Sequence, residues 1–177
     1  PEIEIDDMIA QETIEKFQID KKEINILLGI GGSGPTKRIP ANTFIKVIDK
    51  ISKIKKCKFF LATGKNEEEQ VILRDILSSE FSGLCKPLDD FSLREIMPLI
   101  KNCNLSICND TSFSHLSAAL GVRTITLMAD TPLIYGNYSS KMFPIIPDGE
   151  ETVSHNTLGK EKISSQKIFD KFIEIIN

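Results

Sequence analysis

The chain has 177 residues, of which 41% are hydrophobic and 27% charged, with a net charge of −3. This length and balance fit one globular domain with its own core, or half of a larger enzyme, and exclude disordered and fibrous classes. Lysines scattered among glutamates describe a solvated surface and not a basic nucleic-acid platform, and no apolar run reaches the roughly 18 to 20 residues that span a bilayer.

Residues 1–23 are expected to be a linker or connecting helix, because residues 5–17 are helix-like without forming one clean apolar stripe. The opening on Pro1 and the absence of a basic-then-apolar leader give the expectation of a cytoplasmic fragment. "INILLGI" (24–30) is a short continuous apolar run ended by glycine, as in a parallel strand buried on both faces. "ANTFIKVIDKISKI" places Phe44, Val47, Ile48, Ile51 and Ile54 at helical spacing. "CKFFLAT" predicts the second strand. "NEEEQVILRDILSSE" predicts the next helix, with Glu67, Glu68 and Glu69 in the first turn where the helix dipole favours anions. A short strand follows near 83–85.

In "SLREIMPLIKN" Leu93, Ile96, Met97 and Ile100 share one face after Ser92 as N-cap, and Pro98 is expected to shorten or kink the helix. "LSICND" is a strand, "SFSHLSAALG" a small-residue helix closed by Gly121, and "VRTITLM" a fifth strand. Residues 148–162 read as a mobile loop and 165–176 as a closing amphipathic helix. Five strands alternating with helices predict an α/β doubly wound parallel sheet with residues 24–177 as its domain. Ligands in such sheets bind outside the carboxyl ends of the strands. Cys57, Cys85, Cys103 and Cys108 lie in or beside apolar runs without the spacing of zinc or redox pairs, so they read as buried free thiols of a reducing compartment.

The candidate chemistry lies in two loops. In "GIGGSGPTKRIP" Gly29, Gly31 and Gly34 complete a G-x-G-x-x-G, but Pro35 follows where a dinucleotide fold would enter its helix, and Ile54 stands where an acidic ribose ligand belongs. A P-loop fails because Pro35 takes the place of its lysine. A strand, a glycine turn with free N–H groups, Lys37 and a proline-opened helix remain, which is a phosphate-binding design without either geometry. The plainer reading is a loop needing positive φ angles, with Lys37 solvated. In "CNDTSFSHLSAALG" Asn109, Asp110, Thr111 and Ser112 sit where a strand gives way to a helix, a place for an anion. The plainer readings make Asp110 an N-cap and His115 a partly buried helix residue.

"GGSGPTKRIP", "FFLATGKNEEEQ" and "LDDFSLREIMPLIKNCNLSICNDTSFSHLSAALGVRTITLM", in this order and spacing, resemble the carboxyl-terminal half of family 9 glycosyltransferases, the heptosyltransferases of lipopolysaccharide core synthesis. The resemblance covers residues 24–132. It implies a Rossmann-like donor-binding domain of a GT-B enzyme, with the acceptor domain and its catalytic base absent from this chain. It implies that Gly32, Ser33 and Lys37 contact the diphosphate of a sugar nucleotide, with Lys37 stabilising the leaving group. Glu67 and Glu68 would approach the ribose and the Phe91 backbone the adenine. Asp110 would take sugar hydroxyls, Thr111 and Ser112 would offer backbone N–H groups, and His115 would support that loop.

ADP-heptose is the expected donor and a lipopolysaccharide-core hydroxyl the acceptor, reached with inversion. No cofactor, metal or nucleic acid is expected, and the setting would be the cytoplasmic face of the inner membrane with peripheral association. Two positions depart from the family pattern: Ser112 replaces glycine and Ile39 replaces tryptophan. The competing readings are a nicotinamide-dependent oxidoreductase domain and a non-catalytic nucleotide-binding or interaction domain.

Overall fold

The computed structural model describes residues 2–177, and the apolar runs of the sequence form one six-stranded sheet. Its strands are β1 (Ile24–Gly29), β2 (Cys57–Ala62), β3 (Cys85–Pro87), β4 (Leu105–Asn109), β5 (Thr124–Leu127) and β6 (Met142–Ile145). They lie in the order β3-β2-β1-β4-β5-β6, and every pairing is parallel.

Successive strand residues face opposite sides, and both sides are covered, which is why the strands read as unbroken apolar runs. Ile26, Leu28, Phe59 and Leu61 pack on one side with α2 (Ala41–Ser52), α3 (Glu67–Leu77) and α6 (Ser165–Ile176). Leu27, Phe60 and Ala62 pack on the other with α1 (Asp7–Lys16), α4 (Leu93–Asn102) and α5 (Ser112–Ala119). The result is an α/β, doubly wound, Rossmann-like domain of the kind expected.

Helix α1 belongs to this packing: Phe17 and Ile19 beyond its end are buried, Lys16 pairs with Glu95 at 2.6 Å, and the Ile3 N–H donates to the Ala119 carbonyl at 2.8 Å. Pro98 lies inside α4 without ending it, and the helix is started by a full capping box between Ser92 and Glu95. Its buried stripe runs through Ile96, Leu99 and Ile100, while Leu93 is exposed. Helix α2 ends at Ser52, so Ile54 lies beyond it and is 49% exposed. All four thiols are free, and burial pushes Cys103 and Cys108 up to about 12.

The sixth strand is an addition to the five expected. It has four residues and contains Pro144, which an edge position tolerates because one side of the backbone needs no partner. Residues 148–162 are irregular but tied down: the Leu158 N–H donates to Asp130 Oδ1 at 2.7 Å, that of Gly159 to the Ala129 carbonyl at 3.0 Å, and that of Asp148 to the Lys162 carbonyl at 2.9 Å. Among the described residues no helix is long and apolar enough to cross a membrane. Chain progression reverses between β1 and β4, and the crevice at their carboxyl ends is the topological switch point where such sheets take ligands.

Candidate functional site

Strands β1 and β4 are in register from Ile26 with Leu105 to Gly29 with Cys108, so the two loops that follow them start side by side. A Cβ on Gly29 would come within 2.7 Å of Cys108 Sγ, so this glycine permits the approach. The loop after β1 then makes a 3-10 turn, Pro35–Lys37, before α2 begins behind Pro40. The expectation of positive φ in this loop is not met, since among the described glycines only Gly121 and Gly149 have it. Gly31 and Gly64 instead leave room for the carboxylate of Glu69, which a Cβ at either position would strike.

That carboxylate accepts the Gly32 N–H at 2.6 Å. It is held by Asn66, the α3 N-cap, whose amide bonds the other Glu69 oxygen and whose Oδ1 accepts the Glu69 N–H at 2.9 Å. The carbonyl of Gly32 accepts from Arg38 Nη1 at 2.9 Å, and Arg38 also reaches Glu68. Asn109 donates to the carbonyls of Ile30 and Gly31 at 3.1 and 3.0 Å. The loop is therefore fixed by its own Arg38 and by side chains from two other places in the chain, the start of α3 and the end of β4.

On the β4 side Thr111, in extended backbone, is the N-cap of α5, and its side chain makes no cap. Asp110 lies one residue earlier, so the N-cap reading of this aspartate is not met. It is buried, with Lys37 Nζ 3.2 Å from Oδ2 and His115 Nε2 3.7 Å from Oδ1. The opposite ring nitrogen of His115 is hydrogen-bonded to the Tyr138 hydroxyl at 2.7 Å, and the two rings stack at 5.7 Å. Ser112 opens the helix with ordinary φ, so a side chain there costs no backbone strain.

Between the loops lies a cleft of about 380 Å³ lined by Gly32, Ser33, Thr63, Glu69, Asp110 and Thr111, among others. The hydroxyls of Thr63 and Thr111 are buried there without a protein partner among the described residues, a condition that calls for a ligand or water. Two larger hollows, of about 490 and 460 Å³, lie between α5 and residues 138–141 and between the starts of α2 and α6. The first is lined by His115 and the second by Pro40, but neither is lined by Gly32, Ser33, Lys37 or Asp110. The switch-point cleft is preferred for its chemistry: a cation, a buried carboxylate and a helix N-terminus converge on it.

Of the expected residues, Gly32, Ser33, Asp110, Thr111 and Ser112 line the cleft, and Lys37 and His115 flank it through their contacts with Asp110. The other three expected residues lie outside the cleft. The side chains of Glu67 and Glu68 are 78% and 73% exposed and pair with Arg74 and Arg38. Phe91 follows β3 on the same sheet edge, its ring 4.8 Å from that of Phe17 and its N–H bonded to the Leu88 carbonyl at 3.0 Å, which leaves its carbonyl for any recognition of a base. Sequence reasoning missed Arg38 and Glu69. Glu69 carried a usable signal, the Asn66-x-x-Glu69 spacing of an N-terminal box, whereas nothing local marks Arg38.

Comparison with known proteins identifies the family and the fold. The family model described as glycosyltransferase family 9 (heptosyltransferase) matches residues 1–171. Lipopolysaccharide heptosyltransferase 1 of Campylobacter coli is 28% identical over 162 residues, covering 88% of this chain and 46% of that protein. Among solved structures, a family 9 glycosyl transferase from Veillonella parvula superposes with a TM-score of 0.81 at 21% identity, covering 99% of this chain and 53% of that one. The E. coli ADP-heptose lps heptosyltransferase II gives 0.80 at 19% identity with the same coverages. The chain spans about half the length of these relatives. With its doubly wound sheet and the cleft at its switch point, the chain belongs to glycosyltransferase family 9.

Proposed function

We propose that this chain is the donor-binding half of a glycosyltransferase that moves heptose from ADP-heptose to a hydroxyl of a lipopolysaccharide-core acceptor, with inversion. The observation that carries the reading is the meeting of Lys37, buried Asp110 and the start of α5 at one cleft. A departing diphosphate needs positive charge and N–H donors, and sugar hydroxyls need an acceptor. Lys37 and the backbone of Ser33, Thr111 and Ser112 supply the former, and Asp110 supplies the latter. His115 keeps the Asp110 loop in place, and Glu67, Glu68 and the Phe91 carbonyl face the nucleoside along the same edge. The likeness to an E. coli ADP-heptose lps heptosyltransferase supports ADP-heptose as the donor, and that to a Campylobacter coli lipopolysaccharide heptosyltransferase supports a lipopolysaccharide acceptor.

In the free chain Lys37 is engaged by Asp110, and a bound diphosphate would draw it away, releasing the carboxylate for the sugar. The charge of the leaving ADP is met by Lys37 and the α5 N-terminus, with no cofactor. The base that deprotonates the acceptor is assigned to the part of the enzyme outside this chain. Work on a lipopolysaccharide precursor assigns the enzyme to the cytoplasmic face of the inner membrane, in peripheral association. Calorimetry with ADP, ADP-heptose, UDP and UDP sugars tests the reading. The chain alone is expected to bind ADP and ADP-heptose weakly and to turn nothing over. Tighter binding of UDP than of ADP would sink the donor assignment.

A further inference from the structure

We propose that Arg38 and Glu69 are positioning residues that set the Gly32–Ser33 peptide so that the Ser33 N–H is offered to the phosphates of the ligand. The inference rests on the anion-binding reading of the cleft. Both polar groups of Gly32 are taken by charged side chains, its N–H by Glu69 at 2.6 Å and its carbonyl by Arg38 at 2.9 Å. Arg38 and Glu69 are each only 7% exposed. Burying a guanidinium and a carboxylate is costly unless each is well bonded, and here the guanidinium is bonded to Glu68 and the Gly32 carbonyl, the carboxylate to the Asn66 amide and the Gly32 N–H.

The geometry gives that arrangement a purpose. A trans peptide is planar, with its carbonyl and the next N–H pointing in opposite directions. A Gly32 carbonyl aimed at Arg38 therefore turns the Ser33 N–H to the other side, and Ser33 is exposed and lines the cleft. Without the grip, a loop of glycines rotates this peptide at little cost, and the reversed orientation presents a carbonyl oxygen to an anion. Glu69 acts on the preceding peptide in the same way. Because it occupies the Gly32 N–H, the loop's backbone donors to a ligand begin at Ser33, and Gly32 itself contributes none. Gly31 and Gly64 belong to the device, since their missing Cβ atoms make the space in which the carboxylate lies.

The test compares inorganic pyrophosphate and ADP by calorimetry with adenosine by NMR titration, in the wild-type chain and in Arg38→Met, Glu69→Ala and Glu69→Gln. Arg38→Met and Glu69→Ala are expected to bind pyrophosphate and ADP about tenfold more weakly, with adenosine affinity unchanged. Glu69→Gln still accepts the Gly32 N–H and is expected to stay within about threefold of wild type. Unfolding midpoints establish that each variant is folded. If Arg38→Met or Glu69→Ala does not fold, Arg38→Lys decides, because a lysine cannot reach both Gly32 and Glu68 as the guanidinium fork does. Pyrophosphate affinity then falls about threefold to fivefold with adenosine unaffected. Unaltered pyrophosphate binding in the folded variants overturns the proposal, and so does an equal loss for adenosine, which would mark a general structural role. A wild-type chain that binds neither ADP nor pyrophosphate overturns the anion reading and this inference with it. Wild-type binding with indifferent variants removes the inference alone.

Discussion

Lys37 and Asp110 are the two residues whose roles depend most on each other. At 3.2 Å in the free chain, with Asp110 nearly buried, their pairing holds both charges in place before any ligand arrives. Replacing Lys37 with alanine should weaken ADP binding by about 1 to 3 kcal/mol, the range of a hydrogen bond to a charged group or of leaving a buried partner unpaired. Asp110→Asn should act in the opposite sense on ADP, because Lys37 is then free for the diphosphate, and should erase the preference for ADP-heptose over ADP. Calorimetry of the two variants with both ligands reads this crossing pattern, and weaker binding of ADP by Asp110→Asn would contradict it. Asp110 and Thr111 stood out in the sequence because they lie between a strand end and a helix start, Lys37 because it follows the glycine turn, and His115 through the family resemblance. Glu69 showed only its box with Asn66, because its partner, the Gly32 backbone, is brought to it by the crossover from β1 through α2 and β2 to α3, and Arg38 showed nothing, because a bond to a carbonyl six residues back in the same irregular loop has no sequence signature. A contact across 37 residues leaves no periodic trace.

At the scale of elements, the closeness of β1 and β4 is what makes a single cleft of the two loops. Gly29→Ala would place a Cβ 2.7 Å from the Cys108 sulfur and 3.3 Å from its Cα, so the strands must part or the sulfur must shift. The expected cost is about 1 to 3 kcal/mol of stability, the usual penalty of overpacking a close-packed interior, measured by urea denaturation. A second test concerns Asp130, which follows β5 and ties residues 154–158 to the turn that carries Lys37. Burial alone would raise its carboxyl, but the N–H of Leu158, the hydroxyl of Thr36, the N–H of Asn156 and the charge of His155 outweigh this and hold it below its ordinary value. A carboxyl depressed in the folded state adds stability that is fully present above the unfolded value of about 3.9 and is lost as pH falls through the folded one. Wild type should therefore lose more stability than Asp130→Asn between about pH 5 and 3. Urea midpoints taken across that interval that run parallel for the two proteins would contradict the role. The turns and strands that escaped sequence reading, β6 and the tied segment after it, are those with weak local pattern: four residues with an internal proline, and a polar stretch pinned by long-range bonds.

For the whole molecule, the two-sided core separates stability from the site. The sheet is covered by α2, α3 and α6 on one face and by α1, α4 and α5 on the other, while the cleft belongs to the loops at the strand ends. This architecture was readable from sequence because a parallel sheet requires alternating helices and unbroken apolar strands, and both signals are long and regular. The separation can be tested at Phe172, which is fully buried on α6 within the first face and lies on none of the loops around the cleft. Phe172→Ala removes a large side chain from a close-packed interior and should cost about 3 to 5 kcal/mol in urea denaturation. Under conditions where the variant is still folded, its affinity for ADP should match that of wild type, because the Gly32 clamp, Lys37 and the start of α5 are held by bonds that do not involve α6. Equal affinity at reduced stability would show that the site is carried by the sheet edge. A matching loss of affinity would mean that α6 holds the glycine loop in place through α2, the helix it packs against.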